Sequence, residues 1–151
     1  MIALIQRVTQ ASVKVEGKVI GEIKNGLLVF LGVSATDTSK TIDWLSKKIV
    51  GLRIFSDQDD KMNFSVKDIE ADILLVSQFT LYANVKKGNR PSFSDSAPPS
   101  LAIPLYEQMV KALEEKLEKP IQTGQFGADM KIELLNDGPV TICIDTHQYG
   151  L

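Results

Sequence analysis

Two uninterrupted apolar runs constrain the fold of this chain more than any other feature of its sequence. The first is Leu27-Leu28-Val29-Phe30-Leu31-Gly32-Val33, which follows the turn signal Asn25-Gly26, and the second is Ile73-Leu74-Leu75-Val76. Short apolar runs bounded by turn residues are typical of strands that are buried on both faces. We therefore expect both segments to be strands in the interior of the protein.

The segments around these runs also have strand patterns. From Ser12 to Ile23, apolar and polar residues alternate on either side of Glu16-Gly17, which predicts a hairpin. Asn136-Asp137-Gly138-Pro139 separates two further apolar segments, so a second hairpin turn is expected there. The remaining strand candidates are Ile2 to Val8, Arg53 to Phe55, Met130 to Leu135 and Val140 to Asp145.

Apolar residues at helical spacing predict two helices, from about Lys40 to Gly51 and from about Ile103 to Lys119. Thr38 and Ser39 can cap the first helix with their hydroxyls, and Pro104 is expected in the first turn of the second, where its missing N–H costs little. The helices do not alternate strictly with the strands. The predicted fold class is therefore α+β, with a mixed, mostly antiparallel, β-barrel-like sheet and two main helices. Since there is no repeat or linker, we expect one domain over residues 1–151.

The composition limits the classes of function. Among 151 residues, 17 Lys and Arg face 19 Asp and Glu, for a formal charge of -2, so any contact with RNA has to come from a local basic patch. The candidate patch is the loop with Lys86, Lys87 and Arg90, for which a solvated charge run is the alternative. A single cysteine excludes an internal disulfide and favours a reducing compartment. No signal peptide or membrane-spanning stretch is recognised, so we expect a cytoplasmic protein without membrane contact.

Residues that usually carry acid–base or metal chemistry are scarce. The only histidine, His147, lies near the end of the sequence, where a solvated side chain is a better interpretation than a catalytic triad. Cys143 lies within an apolar strand, which favours packing over nucleophilic catalysis. No His and Cys residues have the spacing of zinc ligands, and Asp57-Gln58-Asp59-Asp60 is not followed by the glycine of a calcium loop. Neither a metal nor a cofactor is therefore expected.

Two polar segments remain as candidates for a site. Ser77-Gln78-Phe79-Thr80 follows directly on the second apolar run, so its hydroxyls and free amides can project beyond the sheet. The alternative is an ordinary strand end whose hydroxyls are bonded to the backbone. Gly138-Pro139 lies at a turn signal, and the proline permits a cis peptide bond there, although an ordinary turn is again the alternative.

Taken together, these segments resemble the signature motifs of the D-aminoacyl-tRNA deacylase family. The matching motifs are Ser77-Gln78-Phe79-Thr80-Leu81, Lys87-Gly88-Asn89-Arg90-Pro91-Ser92-Phe93 and Asn136-Asp137-Gly138-Pro139-Val140-Thr141. The opening segment from Met1 to Val15, Lys61-Met62-Asn63 and Phe126-Gly127-Ala128-Asp129-Met130 are similar as well. The resemblance therefore runs along the whole chain, in order, and no motif departs from the family pattern.

The resemblance implies a homodimeric enzyme with a β-barrel-like fold that acts on aminoacylated tRNA. Members of the family hydrolyse the ester between a D-amino acid and the terminal adenosine, and they also release glycine, including glycine mischarged on tRNA-Ala. It implies further that Gly138 and Pro139, joined by a cis bond, enter the site of the partner subunit. Their carbonyls would hold the substrate amine and exclude an L side chain, so we call this pair the Gly138-Pro139 gate. Arg7 and Met130 would be supporting residues.

The resemblance assigns the catalytic pocket to Ser77, Gln78, Phe79 and Thr80, and it leaves two mechanisms open. In one, Thr80 is the nucleophile. In the other, the 2′-hydroxyl of the substrate assists, while backbone amides near Phe79 and Thr80 hold the developing oxyanion. We favour the second, because a threonine hydroxyl needs an adjacent base and the sequence offers none. Two alternatives to an enzyme are a nucleic-acid-binding module that uses the basic loop, and a structural dimer whose motifs only build an interface.

Overall fold

The computed structural model describes all residues from 1 to 151. The helices are α1 (Ser39–Gly51) and α2 (Pro99–Leu117), and two short 3-10 helices span Phe79–Tyr82 and Thr146–Tyr149. The strands are β1 (Ile2–Val15), β2 (Lys18–Ile23), β3 (Gly26–Gly32), β4 (Phe55–Ser56), β5 (Met62–Phe64), β6 (Asp72–Ser77), β7 (Gln122–Thr123) and β8 (Met130–Asp145). Neither of the two α-helices is long and apolar enough to cross a membrane.

Strand β1 organises the main sheet because it pairs along both of its edges. On one side it is antiparallel to β8 over its whole length, and on the other it pairs with β3 and then with β2. Strands β3, β6 and β7 continue the sheet in parallel. The sheet then curls back on itself, since a Cβ atom on Gly21 of β2 would lie 2.8 Å from the carbonyl oxygen of Thr123 in β7. The predicted α+β class with a mixed, barrel-like sheet is confirmed.

The two faces of the sheet carry two separate cores. A cluster of 27 buried residues fills the space between the sheet and the helices, and a cluster of seven lies on the opposite face, inside the curl. Neighbouring residues on one strand go to different clusters, as Leu27 and Leu28 do on β3. Because both faces are covered, alternation disappears from β3 and β6, and the continuous apolar runs result.

A glycine permits the parallel pairing of β3 with β6. Gly26 is aligned with Asp72, and a Cβ atom at Gly26 would lie only 2.0 Å from the carbonyl oxygen of Asp72. Any other residue at this position would push the two strands apart. The turn signal at Asn25-Gly26 therefore also reflects a close approach of two backbones.

The helices are close to their predicted positions, with one correction. Helix α1 is capped by Thr38, whose N–H donates to Thr41 Oγ1 at 3.2 Å. Helix α2 begins at Pro99, which has the fixed φ suited to a first helical residue. The prediction that Pro104 lies in the first turn is therefore wrong, since Pro104 is inside the helix. Pro104 has no N–H to donate to the carbonyl of Ser100, and Ser100 is exposed.

The predicted hairpin turn at Asn136-Asp137-Gly138-Pro139 is also wrong. Strand β8 is continuous, and both of its halves pair with β1, so the two halves never pair with each other. Val8 is aligned with Asn136 and Gln6 with Thr141, which leaves Arg7 alone opposite residues 137–140. These four residues form a wide bulge that projects from the strand, and we call it the 137–140 bulge. By contrast, the predicted hairpin at Glu16-Gly17 is formed, with φ angles of 50° and 77°.

Candidate active site

A cavity of about 630 Å³ opens where β3 and β6 end. Strand β6 delivers Ser77 to its wall, while the start of α2 and the segment before β8 close the opposite side. Most of the lining is apolar, so the cavity suits a ligand with a substantial apolar part. The lining residues are Leu31, Val33, Val76, Ser77, Gln78, Phe79, Phe93, Ser96, Ala97, Pro98, Pro99, Ala102, Phe126, Gly127, Ala128, Asp129, Met130 and Ile132.

The first predicted motif forms one wall and the mouth of this cavity. The N–H of Gln78 donates to the carbonyl oxygen of Leu31 at 2.8 Å, which extends the pairing of β6 with β3 by one residue. The chain then turns into the 3-10 helix Phe79–Tyr82. Phe79 is 56% exposed and contacts Phe93 edge to face, with 5.1 Å between the ring centroids. The strong pairing of β6 therefore fixes the backbone from which the polar end of the motif projects.

Two backbone amides at this position have no partner within their own helix. The first internal hydrogen bond of the 3-10 helix runs from the N–H of Leu81 to the carbonyl oxygen of Gln78 at 3.3 Å. The N–H groups of Phe79 and Thr80 precede that bond, as the first donors of any helix do. Such amides can bind an oxyanion that develops on a substrate at the mouth of the cavity.

Thr80 lies beside the cavity but does not line it. Its side chain is exposed, and its Oγ1 accepts a hydrogen bond from the Nε2 of Gln78. A side-chain amide cannot accept the proton of a threonine hydroxyl at neutral pH, so this contact does not activate Thr80 as a nucleophile. Of the four predicted catalytic residues, the cavity wall contains Ser77, Gln78 and Phe79.

The side chain of Arg7, on β1, supports the 137–140 bulge. This side chain is 10% exposed, and its Nε lies 3.2 Å from the carbonyl oxygen of Asp137 and 3.0 Å from Asp137 Oδ2. Its Nη1 donates to the carbonyl oxygen of Ile54 at 2.6 Å. The guanidinium group therefore connects the bulge to the segment before β4, and all three contacts are those of a fixed structural support.

Gly138 and Pro139 form the exposed tip of the bulge. The peptide bond between them is cis, and Gly138 has a φ of 125°, a conformation that residues with a side chain rarely adopt. A Cβ atom on Gly138 would lie 2.8 Å from Cγ2 of Val140 and 2.9 Å from Nη2 of Arg7. The space and the backbone conformation at this position both require glycine.

The structure does not bring the Gly138-Pro139 gate and the cavity together within one chain. The bulge faces Arg7, which is aligned with Leu27 and, through it, with Ile73, whereas Ser77 lies four residues further along β6. With about 3.3 Å per residue and 4.8 Å per strand, the path along the sheet is on the order of 20 Å. Neither Gly138 nor Pro139 lines the cavity of its own chain.

The other predicted site residues lie in two places. Met130 is part of the cavity wall, and a Cβ atom on the neighbouring Gly124 would lie 2.6 Å from its sulfur. Lys86, Lys87 and Arg90 are exposed on the loop that follows the 3-10 helix, and none of them is in an ion pair. The basic loop is therefore accessible to an anionic partner.

Of the two remaining reactive side chains, Cys143 departs from its expectation, whereas His147 has the exposed side chain that was expected. Cys143 is exposed on β8, which pairs along only one of its edges, so it is not a packing residue. His147 is 41% exposed, but its Nδ1 lies 3.1 Å from Oδ1 of Asp145 and its Nε2 lies 3.2 Å from Oγ1 of Thr36. The histidine therefore has a hydroxyl and a carboxylate as partners, yet the hydroxyl belongs to Thr36 and lies outside the cavity wall.

Sequence reasoning missed several apolar residues of the cavity wall. Phe93 and Phe126 occur in the quoted motifs, but nothing in their spacing indicated that they share a wall with Ser77. Pro98 and Pro99 carry no strand or helix pattern in the sequence, whereas the start of α2 brings them to the cavity. The sequence signal for a shared wall was that the motifs at 77–81, 87–93 and 126–130 each contain a phenylalanine.

Comparison with known proteins relates the whole chain to one family. The family model described as D-Tyr-tRNA(Tyr) deacylase matches residues 4–145. A D-aminoacyl-tRNA deacylase of Flavobacterium johnsoniae is 58% identical over 146 residues, which are 97% of each chain. Proteins with the same name from Bacteroides fragilis and Thermotoga petrophila are 55% and 53% identical over the same shares of 97%.

Two solved structures have the same fold. One is described as c-Myc DNA Unwinding Element Binding Protein, with a TM-score of 0.90, 42% identity, and coverage of 96% of this chain and 98% of that chain. The other is described as a structural analysis of a probable eukaryotic D-amino acid tRNA deacylase. It has a TM-score of 0.80 at 17% identity, covers 95% of this chain and 97% of that chain, and supports the fold alone.

Proposed function

This chain belongs to the D-Tyr-tRNA(Tyr) deacylase family, and from that premise we propose that it is an enzyme that hydrolyses the ester bond of D-aminoacyl-tRNA. The products are the free D-amino acid and tRNA. The observation that carries the proposal is the match to deacylases at 53% to 58% identity over 97% of the chain. The cavity beside Ser77, Gln78 and Phe79 gives the reaction a place, because it combines apolar walls with free amides at its mouth.

We propose further that the active site is completed by a second copy of the chain. The gate is exposed, and it lies on the order of 20 Å from Ser77 along the sheet of its own chain. A homodimer in which each gate enters the cavity of the other subunit would join the two motifs. The rigid support from Arg7 suits a group that has to keep its position when it projects into a partner.

Selection between enantiomers follows from the geometry of such a gate. If backbone groups hold both the α-amine and the ester, exchanging D for L moves the side chain to the position of the α-hydrogen. There it would collide with the gate, and this steric conflict rejects the L substrate. Glycine has no side chain to collide, so the same site would also hydrolyse glycyl-tRNA, including glycine mischarged on tRNA-Ala.

For the chemical step, the structure favours assistance by the substrate over attack by Thr80. Water adds to the ester carbonyl, the amides of Phe79 and Thr80 stabilise the oxyanion, and the 3′-oxygen of the adenosine leaves and takes up a proton. The neighbouring 2′-hydroxyl lies close enough to the reacting carbonyl to transfer protons. Thr80 has only the amide of Gln78 as its side-chain partner, so it lacks the base that a nucleophile needs.

The basic loop is proposed as the contact for the tRNA backbone. Lys86, Lys87 and Arg90 follow the 3-10 helix of the active site directly, so a phosphate bound to them would lie near the cavity. Contacts of this kind position a nucleic acid without reading its sequence. With tRNA as its substrate, the enzyme would act in the cytoplasm, where translation takes place.

The test of the proposed function is a comparison of two substrates that differ only in chirality. Purified protein is incubated with D-tyrosyl-tRNA and with L-tyrosyl-tRNA, and the release of free tyrosine is measured. We expect rapid hydrolysis of the D form and persistence of the L form. Equal hydrolysis of both would refute the proposed selection, and hydrolysis of neither would refute the enzymatic function.

A nucleic-acid-binding role without catalysis is the second candidate, because the basic loop is exposed and one similar structure is described as a DNA-binding protein. Its mark would be salt-dependent binding of uncharged nucleic acid together with no release of amino acid. The net charge of -2 makes tight binding of this kind unfavourable away from the loop.

A further inference from the structure

We propose that Asn136 is a positioning residue that sets the position of the Gly138-Pro139 gate. It does so by closing the base of the 137–140 bulge, where its side chain bonds to the carbonyl oxygens of Val140 and of Arg7 on β1, and we call this base the neck. The inference rests on the proposed function, since it assigns to Asn136 a part in the selection between D and L substrates. Neither the sequence motifs nor the family comparisons give this side chain a role of its own.

The hydrogen bonds of Asn136 span the bulge at its base. Its Nδ2 donates to the carbonyl oxygen of Val140 at 3.0 Å and to the carbonyl oxygen of Arg7 at 3.3 Å. Val140 is the last residue of the bulge, and Arg7 is the β1 residue that the bulge faces. One amide nitrogen therefore connects the residues at the two ends of the bulge, Asn136 and Val140, to each other and to β1.

The chemistry of this position requires two donors on one small side chain. Both partners of Asn136 are carbonyl oxygens, which only accept hydrogen bonds, and a side-chain amide nitrogen carries two hydrogens. Aspartate has the same shape but would place a carboxylate against two carbonyl oxygens. Asn136→Asp is therefore an isosteric change that removes both bonds.

The neck is mechanically connected to the gate through Val140. A Cβ atom on Gly138 would lie 2.8 Å from Cγ2 of Val140, so the gate glycine rests directly on that side chain. Arg7 fixes the other side by holding Asp137. If the bond from Asn136 to Val140 is lost, Val140 is free to shift and Gly138 shifts with it, while Asp137 keeps its support.

The experiment compares Asn136→Asp with Gln6→Glu as a matched control. Gln6 also carries a side-chain amide that bonds across the pair β1 and β8, to Thr141 Oγ1 at 3.1 Å, but it lies outside the bulge. The kcat/KM values for D-tyrosyl-tRNA and L-tyrosyl-tRNA are measured for both variants and for the unchanged protein. A second readout, amide hydrogen exchange of residues 137–140, does not depend on activity.

We expect Asn136→Asp to lower the ratio of D to L turnover by about tenfold to a hundredfold, because small displacements of a positioned group cost this much. Exchange in the bulge should become faster, and Gln6→Glu should change neither readout. A folded Asn136→Asp protein with an unchanged ratio would overturn the proposal, as would an equal loss of activity toward both substrates. If that variant does not fold, Asn136→Ala removes both donors without adding a charge, and an unchanged ratio in this variant would overturn the proposal as well.

The failure of this inference is distinguishable from the failure of the proposed function. An unchanged protein that hydrolyses neither substrate refutes the function. In that case the exchange measurement still tests the structural part of the inference. Faster exchange of residues 137–140 in Asn136→Asp, but not in Gln6→Glu, supports the neck contact. Equal exchange in all three proteins contradicts it.

Discussion

At the scale of single residues, Gly138 is the most constrained position of the proposed site. Its φ of 125° and the short distances from a Cβ atom to Val140 and Arg7 exclude any side chain at this position. The motif made this glycine a candidate, but sequence alone also allowed an ordinary turn. The structure supplies what was missing, since it shows the contacts that force glycine here.

Gly138→Ala is expected to lower kcat/KM for D-aminoacyl-tRNA by about a hundredfold or more, because the gate has to move to make room for the methyl group. The control is Gly17→Ala, which also has a positive φ, of 77°, but has no atom within 4 Å of the added Cβ. The strain costs each variant about 1–3 kcal/mol of stability. Only Gly138→Ala should lose activity, and an equal loss in both would show that instability alone is the cause.

Thr80→Ala separates the two chemical mechanisms. Activity should stay within about tenfold of the unchanged protein, because the hydroxyl has no base beside it. A substrate with a 2′-deoxy terminal adenosine should react at least about a hundred times more slowly, as expected when a proton-transferring group is removed. Loss of all activity in a folded Thr80→Ala protein, together with full activity of the unchanged protein on the deoxy substrate, would establish Thr80 as the nucleophile.

At the scale of elements, the sequence predicted those whose pattern is long. Strands β3 and β6 were recognisable because both of their faces are buried, and α1 because Ile42, Leu45 and Ile49 have helical spacing. Strands β5 and β7 have three and two residues, which is too short for a periodic pattern. The continuity of β8 was not predictable from local signals, because it depends on β1 being long enough to pair with both halves.

The pairing of β3 with β6 gives a prediction for stability. Gly26→Ala would place a methyl carbon 2.0 Å from the carbonyl oxygen of Asp72, so the strands have to separate where their pairing begins. We expect a loss of more than about 4 kcal/mol, or no folded protein. The control is Gly51→Ala at the end of α1, where no atom lies within 4 Å of the added Cβ.

Urea denaturation followed by circular dichroism distinguishes the two glycine variants. Gly51→Ala should leave the free energy of unfolding within about 1 kcal/mol of the unchanged protein or raise it slightly, because alanine reduces the freedom of the unfolded chain. A Gly26→Ala protein as stable as its control would mean that β3 and β6 do not approach each other as described.

At the scale of the whole molecule, surface carboxylates contribute to the response to acid. Hydrogen bonds and ion pairs lower the pKa of four of them below the ordinary values of 3.8 for Asp and 4.5 for Glu, chiefly through Lys116 for Asp43, Asn63 for Asp57, Ser65 for Asp68 and Lys67 for Glu118. Protonation of each carboxylate therefore costs more free energy in the folded state than in the unfolded state. Their contribution is therefore complete above these values and is lost as the pH falls through the lowered ones.

Stability should accordingly be level between about pH 5 and 7 with respect to these groups and should decrease below about pH 4. The measurement is the free energy of unfolding in urea at several pH values. Ser65→Ala removes the side-chain bond that lowers the pKa of Asp68 most and keeps the bond from the backbone N–H of residue 65, so this variant should show a shallower decrease. A stability that rises on acidification would contradict the assignment.

The central claim also belongs to the whole molecule, because it states that one active site contains parts of two chains. Local sequence showed both motifs, but not that the sheet separates them within a chain by a distance on the order of 20 Å. Only the register of β8, β1, β3 and β6 gives that separation. Whether two chains share one active site can be measured directly.

That measurement is complementation between two variants that are each expected to be inactive. Gly138→Ala disables the gate, and Ala128→Trp fills the cavity that Ala128 lines. The two proteins are mixed in equal amounts, allowed to exchange subunits, and assayed with D-tyrosyl-tRNA. If the gate acts in the partner, about a quarter of the unchanged activity should return, because half of the dimers are mixed and each has one intact site of two. If gate and cavity work within one chain, no mixed dimer has an intact site, and a mixture that stays inactive despite proven subunit exchange would contradict the account.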